Sequence, residues 1–180
     1  MGLKFENLDR KTRGYMLEEI ELDAQKDALY LSPWLTQKGQ GDWADLLRDA
    51  ATSGSDVTLG RSLRENRLIN AMAMRRKPGG HGYATYRVPY TAHETMAEGE
   101  FNRFYVRGLC RRALTEGIER LEVYRAKEVS EPRPESWDKI GNLMDPQAVL
   151  IDVRVSTGVE TALGMPQGPN SGLTLRIPVR

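Results

Sequence analysis

Hydrophobic residues recur at spacings of three and four between residues 91 and 117, which predicts one long helix. Thr91 and Glu94 have the spacing of a capping box at its start, and Gly117 is the residue type that ends a helix most easily. The stripe contains two of the three phenylalanines of the chain, so we expect this helix to form the centre of the core. We expect Phe101, Phe104 and Leu109 to be buried beneath a sheet. The apolar positions are Ala97, Phe101, Phe104, Gly108, Leu109 and Ala113.

The first third of the chain has the pattern of three shorter helices joined by polar segments. A helix over residues 10–25 would be capped by Asp9. Residues 39–41, Gly-Gln-Gly, predict a break, after which Asp42 would begin a second helix. Asp56 would cap a third over residues 57–64. Residues 1–65 are therefore interpreted as a helical segment packed on a main domain.

Strand patterns begin after residue 65. Residues 67–76 and 82–88 flank the turn sequence Lys-Pro-Gly-Gly-His, which predicts a β-hairpin. Further strands are predicted over residues 121–126 and 173–177, and a helix is predicted from Asp145 to about residue 154. Residues 130–142 and 156–171 are interpreted as loops. Residues 66–180 then form an α+β core, in which a small mixed or antiparallel sheet packs on the long helix.

Composition excludes several classes of protein. The 26 Lys and Arg nearly balance the 25 Asp and Glu, so the chain lacks the overall basic bias of a dedicated double-stranded DNA binder. We expect no membrane segment, since no apolar run approaches a spanning length, and no secretory signal at the N-terminus. A single cysteine fits a reducing compartment. The expected location is the bacterial cytoplasm or a virion.

Residues that usually carry catalysis are sparse. Cys110 lies in the apolar part of the long helix and is interpreted as a core residue, and His81 lies in an exposed turn. One cysteine and two histidines do not make a zinc cluster, and the sequence has no nucleotide or hydrolase fingerprint. We therefore expect no cofactor, no metal and no enzymatic activity.

Acidic residues near the start of the long helix leave one enzymatic alternative open. Glu94 and Glu98 lie four apart, which favours a helix start over paired acid–base catalysis. Glu100 and Arg103 have the spacing of a surface ion pair. A small hydrolase or transferase would instead use Glu98, Glu100 and the arginines in a pocket.

Arginines and tyrosines are the main functional candidates. Basic residues with exposed aromatic rings suit single-stranded nucleic acid, and arginine is also enriched in protein interfaces. We weigh a protein interface above nucleic acid because the charge is balanced over the whole chain. The arginines spaced by four on the long helix are expected to face away from the aromatic residues, so that Arg107→Ala would weaken a contact and leave the fold intact. The candidates are Arg75, Arg76, Lys77, Tyr83, Tyr86, Arg103, Arg107 and Arg111.

Three segments carry a resemblance: EGEFNRFYVRGLCRRAL, VYRAKEVSEPRPES and GPNSGLTLRIP. Over residues 91–178 the chain resembles small uncharacterised proteins encoded in bacteriophage and prophage genomes. The resemblance implies a phage setting, in which small α+β proteins build or decorate virions. The resulting hypothesis is a structural assembly protein that acts through subunit interfaces, as a homo-oligomer or with other virion proteins. The alternative is a single-stranded nucleic-acid-binding protein.

Overall fold

A computed structural model describes residues 2–128, 134–166, 168 and 171–179. In chain order the elements are α1 (Arg10–Gln25), α2 (Gln37–Ser53), α3 (Asp56–Glu65), β1 (Met72–Arg76), β2 (Tyr83–Arg87), α4 (Ala92–Glu116), β3 (Leu121–Arg125), the single turn α5 (Pro134–Trp137), β4 (Leu143–Met144), α6 (Pro146–Val155) and β5 (Leu173–Arg176). The α+β prediction is confirmed. Two antiparallel sheets are present, the hairpin β1–β2 and a three-stranded sheet in the order β4-β3-β5.

Helix α4 is the centre of the core, as its periodicity predicts. Phe101, Phe104 and Leu109 are almost completely buried. Two polar side chains fasten the three-stranded sheet to this helix. The amide of Asn102 donates to the carbonyl of Leu173 at 3.0 Å, and the Tyr105 hydroxyl donates to the carbonyl of Leu175 at 3.1 Å. The sheet therefore lies on α4 with its edge strand β5 held directly by the helix.

Helices α1 and α4 approach closely where Gly108 stands in α4. A Cβ atom at this position would lie 2.7 Å from Cγ of Met16 and 2.9 Å from the carbonyl oxygen of Thr12. The second of these neighbours is backbone of α1, which cannot move away independently. Glycine is therefore required at this crossing.

The glycines of the Gly-Gln-Gly sequence do not end a helix, so the predicted break is wrong. Helix α2 begins before them, and the Thr36 side chain caps it by accepting from the backbone N–H of Gly39 at 3.0 Å. A Cβ atom at Gly39 would lie 2.7 Å from the carbonyl oxygen of Leu68. The glycine serves a close contact between α2 and the chain that follows α3, which periodicity alone does not reveal.

Two other predicted caps also differ from the structure. Ser55 caps α3, with Thr58 completing a capping box, where the sequence predicted Asp56. Thr91 precedes α4 as expected but makes no side-chain capping bond. Its backbone has ψ 5°, a turn conformation, whereas a capping residue is extended. Asp9 and Asp145 cap α1 and α6 as predicted.

The helical first third and the rest of the chain share one hydrophobic core. Buried residues of α1, α2 and α3 belong to the same cluster as those of α4, α6 and the three-stranded sheet. The loops predicted over residues 130–142 and 156–171 lie partly outside the described residues. Within the described part of the first loop, residues 134–137 form the turn α5.

We expect Gly108→Ala to lower the free energy of unfolding by about 1–3 kcal/mol, because the added methyl group overpacks the α1–α4 crossing. The matched control is Gly14→Ala. Gly14 is also helical, but a Cβ atom there would meet nothing within 4 Å. This control should gain about 0.5–1 kcal/mol from helix propensity. Urea denaturation of both variants measures the change in the free energy of unfolding. If the two changes had the same sign, the close approach of α1 and α4 at Gly108 would be contradicted.

Candidate interaction surface and buried charge network

The outward side of the hairpin presents six exposed residues in cross-strand pairs. Side chains alternate between the two sides of a strand, so every second residue of β1 and β2 shares this side. The register pairs Met72 with Arg87, Met74 with Thr85 and Arg76 with Tyr83. Met74 and Tyr83 are each 67% exposed. We call this surface the outer hairpin face; it consists of Met72, Met74, Arg76, Tyr83, Thr85 and Arg87.

The opposite side of the hairpin attaches it to the body of the protein. Ala73 is buried, and the Tyr86 hydroxyl accepts a hydrogen bond from Nε1 of Trp34 at 2.8 Å. The guanidinium of Arg75 lies 5.5 Å from the centre of the Tyr86 ring, within cation–π range. The predicted residues Arg75 and Tyr86 therefore lie on the side facing away from the outer hairpin face.

The hairpin concentrates positive charge in a chain that is nearly neutral. Residues 66–93 contain Arg67, Arg75, Arg76, Lys77 and Arg87 and no acidic residue. Among the described residues, none of these five side chains lies within ion-pair distance of a carboxylate. The turn at residues 77–82 is made possible by Gly79, Gly80 and Gly82, which all have positive φ. His81 is exposed in this turn, as predicted.

The arginines of α4 lie elsewhere, and the expectation that their stripe faces outward is wrong. Arg107 is completely buried and Arg103 nearly so. Both guanidinium groups lie over the Phe104 ring, at 5.0 and 5.8 Å from its centre, so this stripe does not face away from the aromatic residues. Arg111 is only partly exposed, and its guanidinium binds Glu18 and Glu19. The structure does not join these arginines to the hairpin in one basic surface.

Arg107 belongs to a buried charge network centred on Glu19 of α1. Its Nε donates to Oε2 of Glu19 at 2.9 Å, and its Nη2 donates to Oδ1 of Asp23 at 2.8 Å. Arg154 of α6 also donates from Nε to Oε2 of Glu19 at 2.9 Å. Arg111 completes the set by donating to Oε1 at 3.0 Å. Acidic residues of α1, Glu19 and Asp23, are thus the partners of these arginines.

The carboxylates considered for catalysis do not share a cleft. Glu98 is buried and binds Nζ of Lys127 at 2.6 Å, beside a cavity that His93 and Asp56 also line. Glu100 lines a different cavity. The spacing of Glu100 and Arg103 indicated an ion pair on the surface. The Glu100 side chain is only 12% exposed, so the pair is not a surface pair. Paired acid–base chemistry by Glu98 and Glu100 is therefore not supported.

The described part of the chain contains neither an accessible thiol nor a cluster of side chains suited to binding a metal ion. Cys110 is buried in the core, and burial raises the pKa of its thiol well above its ordinary value. No group of three or more metal-ligating side chains occurs among the described residues. No helix in the described ranges combines the length and apolar character that crossing a membrane requires.

Comparison of the chain with models of protein families, with curated proteins and with solved structures gave no match. Of the candidates named from the sequence, Arg76 and Tyr83 lie opposite each other on the outer hairpin face, and both are exposed. Sequence reasoning missed Met72, Met74 and Arg87. The alternation of side chains along the two predicted strands could have placed them on the same side as Arg76 and Tyr83.

We expect Arg107→Ala to lower the free energy of unfolding by about 3–5 kcal/mol, because it leaves buried carboxylates without their partner. Chemical denaturation measures the loss. Arg120→Ala, at an exposed position, is the control and should change stability by less than about 0.5 kcal/mol. Equal stability of the two variants would show that the network contributes nothing to the fold.

The same network should make stability depend on acid pH. Burial by itself raises the pKa of Glu19, but hydrogen bonds and charge from Arg154 and Arg107 outweigh it, so the pKa lies below its ordinary value of 4.5. The stabilisation is therefore present above pH 4.5 and is lost as the pH falls through the lower folded-state pKa. We expect the midpoint of urea unfolding to fall over this range. In Glu19→Gln the fall should be smaller, and an identical pH profile would exclude Glu19 as its source.

Proposed function

We propose that the protein is a non-enzymatic assembly protein whose outer hairpin face docks on the acidic surface of another subunit. The observation that carries this proposal is the pairing of exposed apolar and cationic side chains on a hairpin that lacks a covering layer among the described residues. The hairpin packs on the body of the protein through its inner side only, where Ala73 and Val88 belong to an apolar cluster. A subunit packed on the outer hairpin face would supply that missing layer.

Methionine side chains favour a protein as the partner. Met72 is 51% and Met74 67% exposed, and they are neighbours on one strand face. Methionine, tyrosine and arginine are enriched in protein interfaces, because flexible thioethers and planar groups pack well on varied surfaces. Phosphate groups would leave the two methionines without a complementary surface.

Charge complementarity favours a second copy of the chain as that subunit. Residues 66–93 hold five of the 26 basic residues and none of the 25 acidic ones, so the remainder carries 21 basic against 25 acidic residues. The basic hairpin of one copy therefore complements the acidic remainder of the next. Such a head-to-tail contact is heterologous and generates rings or extended assemblies. The resemblance to phage-encoded proteins supports a virion as the setting.

Sedimentation velocity of the full chain tests the proposal. We expect an oligomer whose population rises with protein concentration and falls from about 0.05 M to about 0.5 M salt, since salt screens the exposed charges. The double variant Met74→Ser with Arg76→Glu should sediment as a monomer with an unchanged melting temperature. The reason is that both side chains point away from the body of the protein.

The matched control replaces an exposed apolar and an exposed basic residue elsewhere, Val179→Ser with Arg120→Glu. It changes the net charge by the same amount and also removes exposed apolar surface, but it should retain the oligomer. A wild-type protein that stays monomeric at every concentration would refute the proposal. An oligomer that both double variants retain would also refute it.

A second candidate, single-stranded nucleic-acid binding, is favoured by one observation: the acid-free stretch with the exposed Tyr83 ring. Phosphates would meet the cations and a base would stack on the ring. In this case affinity for an oligonucleotide should fall steeply with salt, and replacing Arg75, Arg76 and Lys77 by alanine should flatten that slope. Absence of binding at low salt would exclude this candidate.

A further inference from the structure

Helix α6 presents to solvent an apolar side that the described part of the chain does not cover. Its inward side packs Val149 and Val153 into the core. Residues 148, 151 and 155 follow spacings of three and four on the other side, and all three are exposed. Ile151 is 53% and Val155 76% exposed. A helix that is apolar on both sides is typical of a buried position, so α6 indicates a covering partner.

The segment after α6 widens this apolar surface. The backbone N–H groups of Ala162 and Leu163 donate to the Asp152 side chain at 2.9 and 2.7 Å. Asp152 lies one helical turn from both Ala148 and Val155, so the segment borders the exposed side of the helix. Ala162 and Leu163 are themselves exposed. We call the combined surface the α6 outer face; it consists of Ala148, Ile151, Val155, Ala162 and Leu163.

Free carboxylates flank the α6 outer face. Asp145 lies directly before the helix, where one of its oxygens accepts from the backbone N–H of Ala148 at 2.7 Å. Glu160 lies two residues before Ala162. Both acidic residues are exposed, and neither has an ion-pair partner among the described residues.

Basic side chains beside this surface are already bound. Arg154 of α6 donates to Oε2 of Glu19 at 2.9 Å, inside the buried network. Nζ of Lys139 donates to the carbonyl oxygen of Gly164 at 3.3 Å. The charge that remains available around the α6 outer face is therefore negative.

Two copies of the α6 outer face would not complement each other. A two-fold contact brings the same surface of both copies together. With the helices parallel, Asp145 of one copy would approach Asp145 of the other. With the helices antiparallel, Asp145 would approach the end of the face that carries Glu160. Both arrangements place like charges together, which disfavours association.

The outer hairpin face has the complementary pattern. Its register places Arg87 beside Met72 at one end, Met74 in the middle and Arg76 at the other end. The two ends are four residues apart along a strand, or about 13 Å. Residues 145–155 of the helix span about 15 Å. The methionines can therefore lie on the apolar centre of the α6 outer face while the arginines reach its acidic ends.

We propose that the outer hairpin face of one copy docks on the α6 outer face of the next copy. This inference rests on the proposed function and adds the acceptor surface to it. The methionines cover the aliphatic side chains of α6, and the two arginines lie against Asp145 and Glu160. Each copy carries one donor surface and one acceptor surface at different places, so the contact can repeat from copy to copy.

A mixing experiment with two defective variants tests the proposal by sedimentation velocity. The hairpin variant is Met74→Ser with Arg76→Glu, and the α6 variant is Ile151→Arg with Val155→Arg. We expect each to be monomeric alone at concentrations where the wild type is oligomeric. An equimolar mixture should form a one-to-one complex, because the hairpin variant retains an acceptor and the α6 variant retains a hairpin. No larger species should form, since the surfaces left over are the defective ones.

The matched control is Leu31→Arg with Val179→Arg, which adds the same charge at apolar positions that are 44% and 84% exposed. It should oligomerise as the wild type does. Glu160→Lys is a second, milder variant on an exposed residue and should weaken association about fivefold. Glu119→Lys, at another exposed position, should not weaken it. Thermal melts verify that every variant is folded.

The outcomes separate this inference from the proposed function. If the hairpin variant is monomeric but the folded α6 variant still oligomerises, the acceptor surface is wrong and the proposed function stands. A mixture that stays entirely monomeric also overturns the inference, because the two surfaces then do not bind each other. If the hairpin variant oligomerises as the wild type does, both the proposed function and this inference are wrong.

Discussion

Glu19 is a carboxylate buried among three helices, and its position ties α1 to α4 and α6 through three arginines. A buried charge without partners costs several kcal/mol, so Arg107 and Arg154 have to reach it with hydrogen-bond geometry. That requirement fixes the distance between the helices. Gly108 makes it attainable, since a larger residue would separate α1 from α4 at the same crossing. The network thus sets the arrangement on which the hydrophobic contacts of the helical half are built.

Because α4 is enclosed by α1, α3, α6 and β5, it has little free surface in its middle turns. Residues on both sides of its apolar stripe are buried, including Asn102, Tyr105 and Arg107. Polar groups so placed must find partners, and they do so by joining α4 to neighbouring elements, β5 through Asn102 and α1 through Arg107. Arg103 and Arg107 are therefore part of the internal framework and are removed from the surface that a partner could contact.

The hairpin is attached differently from the helices that surround α4. It extends from the body and is held by a small apolar cluster around Ala73 and by the hydrogen bond from Trp34 to Tyr86. One side of its strands remains exposed with methionines and arginines, and on the other side Tyr86 lines the cavity that Glu100 also lines. A single pair of strands thus borders two chemically distinct surfaces.

Local patterns determined most elements of this protein, because periodicity, turns and caps act over a few residues. Residues 10–25 and the hairpin follow such patterns, as does the burial of Phe101 and Phe104.

Contacts between distant residues were decided only by the tertiary structure. A spacing of four puts Arg103 and Arg107 on one side of a helix but does not say whether solvent or α1 covers that side. In the same way, Gly39 resembles a helix breaker until the chain after α3 is seen to cross it. Glu100 and Arg103 have the spacing of a surface pair, yet both side chains are largely buried, beside a cavity that Trp34 and Tyr86 also line. Long-range packing decides which polar residues are desolvated, and desolvation is what separates a surface charge from a site.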